Sequence, residues 1–150
     1  MLASPAEAVQ EGWRKAPGRF VTPLPIWPFT LLPFGRRSEI GGVTYLRSLG
    51  FKILASPFRT KLGEIDIVAR DGPILVFVEV KARRSDAPPE DNVGYRKRQR
   101  LIRAARAYTS KYKLHDSPYR FDILAVTHHT GQNPIYRLLK DAFQNSNFDL

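Results

Sequence analysis

The chain has 150 residues, 43% hydrophobic and 25% charged, enough for one globular body with a tail rather than a disordered polymer. Its 24 lysines and arginines outweigh 14 acids and leave a formal charge of +10, which favours a polyanionic partner, nucleic acid above all. The absence of cysteine excludes a disulfide framework, a cysteine–zinc site, a thiol nucleophile and an iron–sulfur cluster; no apolar run approaches the ~20 residues of a membrane span.

Residues 1–35 read as a Pro-rich N-terminal arm that holds six of the 12 prolines. Its apolar run FVTPLPIWPFTLLPF is broken by proline too often for a helix or a central strand. An extended arm is expected, lying on the domain's own surface or docking a partner or a second copy. It lacks a clear h-region and cleavage site of a secretory signal, so the cytoplasm is the expected compartment and no membrane partner is expected.

From Arg36 the pattern becomes regular. Ser38 is the expected N-cap of a first helix with Glu39, Ile40, Val43, Leu46 and Leu49 at helical spacing, weakened by Gly41 and Gly42 and stopped by Gly50. Residues 51–58 and 63–70 follow as strands, and Asp71-Gly72-Pro73 turns the chain into the strongest strand signal, residues 74–82 (ILVFVEVKA). After a polar loop over 84–92, a second helix spans 93–114 with Leu101, Ile102, Ala105, Tyr108 and Tyr112 on its inner side. A strand over 119–127, a short last strand over 135–139 and a tail at 144–150 complete the chain. The expected fold is α/β, a central mixed β-sheet flanked by helices in the order αβββαβ, with the domain spanning 36–143.

Chemistry concentrates between Gly63 and Arg84. Glu79 and Lys81 stand two apart on a strand and therefore project from one face, behind the apolar Leu75 and Phe77. In a hairpin centred on Gly72, Asp66 comes to about the height of Glu79, and two close carboxylates are relieved by a hard divalent cation such as Mg²⁺ or Mn²⁺. A lysine beside such an ion can hold the attacking water or a phosphate oxygen, as phosphodiester hydrolysis requires. The same Glu-x-Lys pattern is also ordinary cross-strand decoration, and the residues alone leave both readings open.

The stretch GEIDIVARDGPILVFVEVKAR resembles the core signature of the PD-(D/E)xK nuclease superfamily, and most closely its YraN-like branch, small bacterial endonuclease-like proteins related to archaeal Holliday-junction resolvases. The likeness runs through Glu39, Tyr45-Leu46, Gly63-Glu64-Ile65-Asp66, Phe77-Val78-Glu79-Val80-Lys81, Arg83, Lys97, Phe121-Asp122 and Ala142-Phe143. It implies a restriction-endonuclease-like core, with Asp66, Glu79 and the Val80 carbonyl as metal ligands and Lys81 as catalytic lysine. Glu39 would approach the same site, and the cofactor would be Mg²⁺ or Mn²⁺. The implied substrate is DNA, branched or otherwise structured, cut by a homodimer. Gly41-Gly42, the start of the second helix at Val93-Gly94-Tyr95-Arg96 and the N-terminal arm depart from the family pattern. Glu64 is read as a surface carboxylate and Asp122 as structural, paired with a basic helix residue.

From Lys81 to Arg106 nine basic residues face three acidic ones, and none of the acids lies between Arg96 and Arg106. Arg96, Arg100 and Arg103 share a helical stripe; with Lys97 and Arg83 they are the expected contacts to a nucleic-acid backbone. His128 and His129 are adjacent, so on a strand they face opposite ways and make poor joint ligands. The leading expectation is a Mg²⁺-dependent endonuclease-like protein acting on DNA. The alternatives are a non-catalytic nucleic-acid-binding module that keeps the fold and a basic assembly factor contacting RNA or an acidic protein.

Overall fold

The computed structural model describes residues 32–85 and 93–144; the arm up to residue 31, the loop at 86–92 and the tail at 145–150 lie outside the described residues. The elements are α1 (Phe34–Ser48), β1 (Lys52–Ala55), β2 (Phe58–Thr60), β3 (Gly63–Ile65), β4 (Ile67–Asp71), β5 (Ile74–Arg84), α2 (Tyr95–Tyr112), β6 (Tyr119–His128) and β7 (Ile135–Phe143). Five strands form a mixed sheet in the order β1-β4-β5-β6-β7, while β2 and β3 pair separately as a small hairpin. Among the described residues only β5 and β6 run parallel, and α2 lies between them in the chain, as a parallel crossover requires.

The alternation in β5 explains why both faces of the sheet are covered. Leu75 and Phe77 point into a core closed by Leu101, Ile102, Ala105 and Tyr108 of α2. Val76 and Val78 point the other way, into a core closed by Val43 and Leu46 of α1. All four β5 side chains are at most 1% exposed, and each such burial is worth about 1.5–3 kcal/mol.

Helix α1 differs from its expected form. It starts at Phe34, inside the stretch assigned to the arm, with Pro33 at the N-cap position. Ser38 is therefore not a cap. It lies buried one turn into the helix, its hydroxyl donating to the Phe34 carbonyl at 3.1 Å. The glycines that cost helix propensity are contact points. A Cβ on Gly41 would meet the Tyr136 hydroxyl, and one on Gly42 would meet Leu124 Cδ2 at 2.7 Å, so the helix lies closer to the sheet than alanine would allow. Its end is a Schellman turn. Gly50, at φ 89°, donates to Arg47 at 3.0 Å, and Phe51 donates to Leu46 at 3.1 Å.

Two expected strands each divide. The stretch 51–58 gives β1 and β2, because pairing with β4 shifts register between Ile53 and Ala55 and Pro57 has no N–H to continue it. The stretch 63–70 divides at Asp66: β4 stays in the sheet and β3 leaves it to join β2. The hairpin then rests on α2 so closely that a Cβ on Gly63 would lie 2.5 Å from the Arg100 carbonyl oxygen. Gly63→Ala is expected to cost about 2 kcal/mol and lower the thermal midpoint by several degrees, while Gly35→Ala, with open space around it, leaves the midpoint unchanged or raised. Equal midpoints for the two variants would show that the hairpin is not clamped.

The last strand runs to Phe143 rather than 139, past a register shift opposite Asp122. Asp122 is structural, as expected, but its partner is on its own strand rather than on a helix. Arg120 Nε donates to its carboxylate at 2.9 Å, and the Asp141 N–H that the irregularity frees donates to it at 2.9 Å. Among the described residues no helix is long and apolar enough to cross a membrane.

Candidate active site

The turn of β4 into β5 sets the register of the site. Asp71 pairs with Ile74 and Ile67 with Val78, so index sums of 145 hold throughout the ladder, and Asp66 and Glu79 are the next pair in that register. At that point the backbone ladder stops. Asp66 replaces it with its side chain, Oδ2 accepting the Val80 N–H at 2.8 Å. The Ser56 hydroxyl donates to the Asp66 carbonyl at 3.1 Å and fixes the branch point from the other side. A carboxylate that takes over a strand's hydrogen bond is what sends β3 away from β5.

Glu79 lies on the α2 side of β5 and is only 6% exposed. Its Oε1 atom meets Lys97 Nζ at 3.2 Å. Its Oε2 atom is buried and has no hydrogen-bond partner among the described residues. The Asp66 carboxylate stands beside it, and only a proton held by one of the two acids can join them by a hydrogen bond. Burial first, and the Asp66 charge second, push the Glu79 carboxyl up to about 7, against the pull of Lys97. Burial likewise raises Asp66, opposed by the Val80 bond and by Lys97 and assisted by the charge of Glu39. Two acids side by side, one buried and one half-buried, are an unfavourable arrangement unless a proton or a cation joins them.

Lys81 follows Glu79 by one strand repeat on the same face, half-buried, opposite Ala125 of β6. Glu39 stands near enough for its charge to act on Asp66, but its carboxylate is held by Arg36 at 2.7 Å rather than by the central pair. Among the described residues no three acidic or histidine side chains form a complete ion cage, so side-chain donors at the centre are limited to Asp66 and Glu79. The unpartnered Glu79 oxygen and the paired carboxylates are hard oxygen donors of the kind that Mg²⁺ and Mn²⁺ accept, and they fit such an ion.

The basic residues separate into two groups. Arg96, Arg100 and Arg103 are exposed on α2, and Arg103 Nε donates to the Gln99 carbonyl at 3.2 Å. Lys97 turns inward to Glu79 instead of joining that stripe. Arg83 donates to Thr127 Oγ1 at 3.2 Å, which ties β5 to β6. Sequence reasoning missed the Lys97–Glu79 pair, whose signal was available: one residue in the arginine-rich turn falls on the inner side of the helix. It also missed Arg59, which bridges Glu64 at 3.0 Å on the hairpin and feels the charges of Glu39 and Asp66. Glu64 is thus a partly exposed ion-pair partner, with no role at the centre.

A five-stranded mixed sheet flanked by helices and forked at an acid is an α/β architecture consistent with a restriction-endonuclease-like fold. Residues 38–126 match the model of the family described as Uncharacterised protein family UPF0102. A UPF0102 protein of Geotalea uraniireducens is 40% identical over 112 residues, 73% of this chain and 88% of that protein. One of Clostridium kluyveri is 39% identical over 103 residues, 67% of this chain and 84% of that protein. One of Thermodesulfovibrio yellowstonii is 43% identical over 97 residues, 63% of this chain and 86% of that protein. The chain belongs to the UPF0102 family.

Proposed function

We propose that this chain is a divalent-metal-dependent endonuclease of the PD-(D/E)xK type that hydrolyses DNA phosphodiester bonds. The observation that carries the reading is the pairing of the half-buried Asp66 with the buried Glu79, with one Glu79 oxygen lacking a hydrogen-bond partner among the described residues and Lys81 one repeat away on the same face. Asp66, Glu79 and the Val80 carbonyl would hold the ion, Mg²⁺ or Mn²⁺. When bound, such an ion lowers the pKa of water and offsets charge on a phosphate.

The rest follows from the chain's own groups. The fork at Asp66 fixes one carboxylate by its Val80 bond, so little ordering is left to be done when a ligand arrives. Lys81 presents an ammonium to the same niche, where it holds a water or a non-bridging phosphate oxygen and stabilises developing negative charge. Lys97 offsets part of the Glu79 charge from α2. Arg96, Arg100 and Arg103 grip the backbone on the exposed side of α2, without any base-reading motif.

The direct test is a Mn²⁺ titration by calorimetry of the wild type and Asp66→Asn. The asparagine carbonyl can still accept the Val80 N–H, so the fork is retained while the charge is lost. Loss of one Mn²⁺ site is expected; equal affinity would end the metal reading. A second reading, a nucleic-acid-binding module without catalysis, is favoured by the Lys97–Glu79 ion pair, which supplies a counter-cation from within the chain. It predicts no Mn²⁺ site in either protein.

DNA contact through α2 is tested separately. Arg100→Glu is expected to weaken binding and make the slope of log K against log salt shallower by about one. An unchanged slope removes this helix from the interface.

A further inference from the structure

At the C-terminal edge of β5 and β6, on the α1 side of the sheet, a second group of side chains stands apart from the carboxylate niche. Ser38 Oγ and His128 Nε2 are 2.8 Å apart. The His128 ring lies against the Phe34 ring with centroids 4.5 Å apart. The Arg84 guanidinium lies over the same Phe34 ring, 5.4 Å from its centroid. Arg37, next to Ser38 on α1, has a buried Nε atom with no hydrogen-bond partner among the described residues. Burial lowers the His128 pKa, and the charges acting on it besides are those of Arg37 and Arg84, both positive.

Arg84 and the His128 imidazole share the Phe34 ring, and the positive charges of Arg37 and Arg84 both act on that imidazole. Among the described residues no carboxylate pairs with either arginine; the nearby acid Glu39 is taken by Arg36. A buried N–H donor without an acceptor carries an uncompensated desolvation cost, larger when the group is charged. Such a cluster is relieved by an anion that offers several acceptor oxygens, which the planar guanidinium fork matches well.

We infer that Arg37, Arg84 and His128, seated against Phe34 and with the buried Ser38 holding the imidazole from behind, form a phosphate-binding pocket that holds a backbone phosphate of the nucleic acid away from the one being cleaved. The nucleic-acid source rests on the function proposed above; the phosphate chemistry does not. Arg84 lies three residues past Lys81, about 10 Å along the strand and on the opposite face of the sheet. Measured along the sheet alone, that is about three nucleotide steps at the ~3.4 Å rise of one strand of duplex DNA. The pocket would then set where along a strand the scissile bond falls.

His128 makes the pocket directly observable, because the chain has only three histidines, His115, His128 and His129. The imidazole signals of the full chain are followed by NMR at constant pH with chelator present, during titration with inorganic phosphate and then with a short single-stranded oligonucleotide. The His128 signal is expected to shift and saturate in both titrations, with the oligonucleotide tighter, while His115 stays in place. Arg37→Gln and Arg84→Gln are each expected to weaken the His128 response about tenfold, with the fold intact by circular dichroism. Phosphate as tight as the oligonucleotide would make the ligand a free anion and overturn the nucleic-acid assignment. A His128 signal that neither titrant moves, or glutamine variants that respond as the wild type does, would overturn the pocket itself. No metal or cleavage enters the measurement. A responsive His128 in a chain that takes up no Mn²⁺ would therefore keep the pocket and remove the nuclease reading, and an unresponsive one in a chain that cleaves DNA would do the reverse.

Discussion

Lys81→Ala is expected to slow cleavage of a DNA substrate about 10³-fold in Mg²⁺, the scale of losing one positioned charge or proton-transfer group at a reacting centre. Affinity for the same DNA, measured without a divalent ion, is expected to change less than about threefold, because the arginines proposed to grip the backbone lie on another element. Lys81 is half-buried beyond Glu79, and its removal leaves the Asp66–Val80 bond and the Glu79–Lys97 pair in place. A variant that cleaves as fast as its parent would remove Lys81 from the mechanism. One that loses DNA affinity to the same degree would make it a backbone contact instead.

Glu79→Gln is expected to change how stability depends on pH. With its carboxyl pushed up to about 7 from an ordinary value of 4.5, Glu79 holds a proton in the folded chain over a range where the unfolded chain has released it. Its contribution is therefore fully present below about 4.5 and is lost as the pH rises towards 7. A shift of this size corresponds to about 3 kcal/mol. His128 has the opposite slope, since its depressed pKa favours the folded chain as the pH rises. The informative quantity is thus the difference in unfolding free energy between wild type and variant, measured in chelator. Wild type minus variant is expected to fall by about 3 kcal/mol from pH 4.5 to pH 7.5. A difference that rises with pH would mean that Glu79 is ionised throughout and satisfied by Lys97.

Much of the site was legible because strand geometry is simple. A two-residue period and a turn at Gly72-Pro73 were enough to bring Asp66 level with Glu79, and the observed ladder has that register. The same simplicity hid the fork. Nothing in GEIDIVAR marks Asp66 as the point where one strand becomes two, because its bond to the Val80 N–H is a tertiary event. The glycines of α1 were legible only as a cost to the helix; that they permit close approach to Leu124 and Tyr136 depends on which side of the helix meets the sheet. Ser38 has the composition of a cap and the position of a core residue, since Pro33 had already begun the helix. Lys97 and its neighbours share one charge, and only the helix phase separates the residue that turns inward from those that stay in solvent.

The departure of β3 from the sheet also uncouples two kinds of change. Residues can be gained or lost at the Lys61-Leu62 end of the β2–β3 arm without sliding β4 along β5, because the turn at Gly72-Pro73 anchors one end of that pair and the Asp66–Val80 bond the other. The hairpin tip is thus free to lengthen or shorten while the pairing that sets Asp66 level with Glu79 keeps its place.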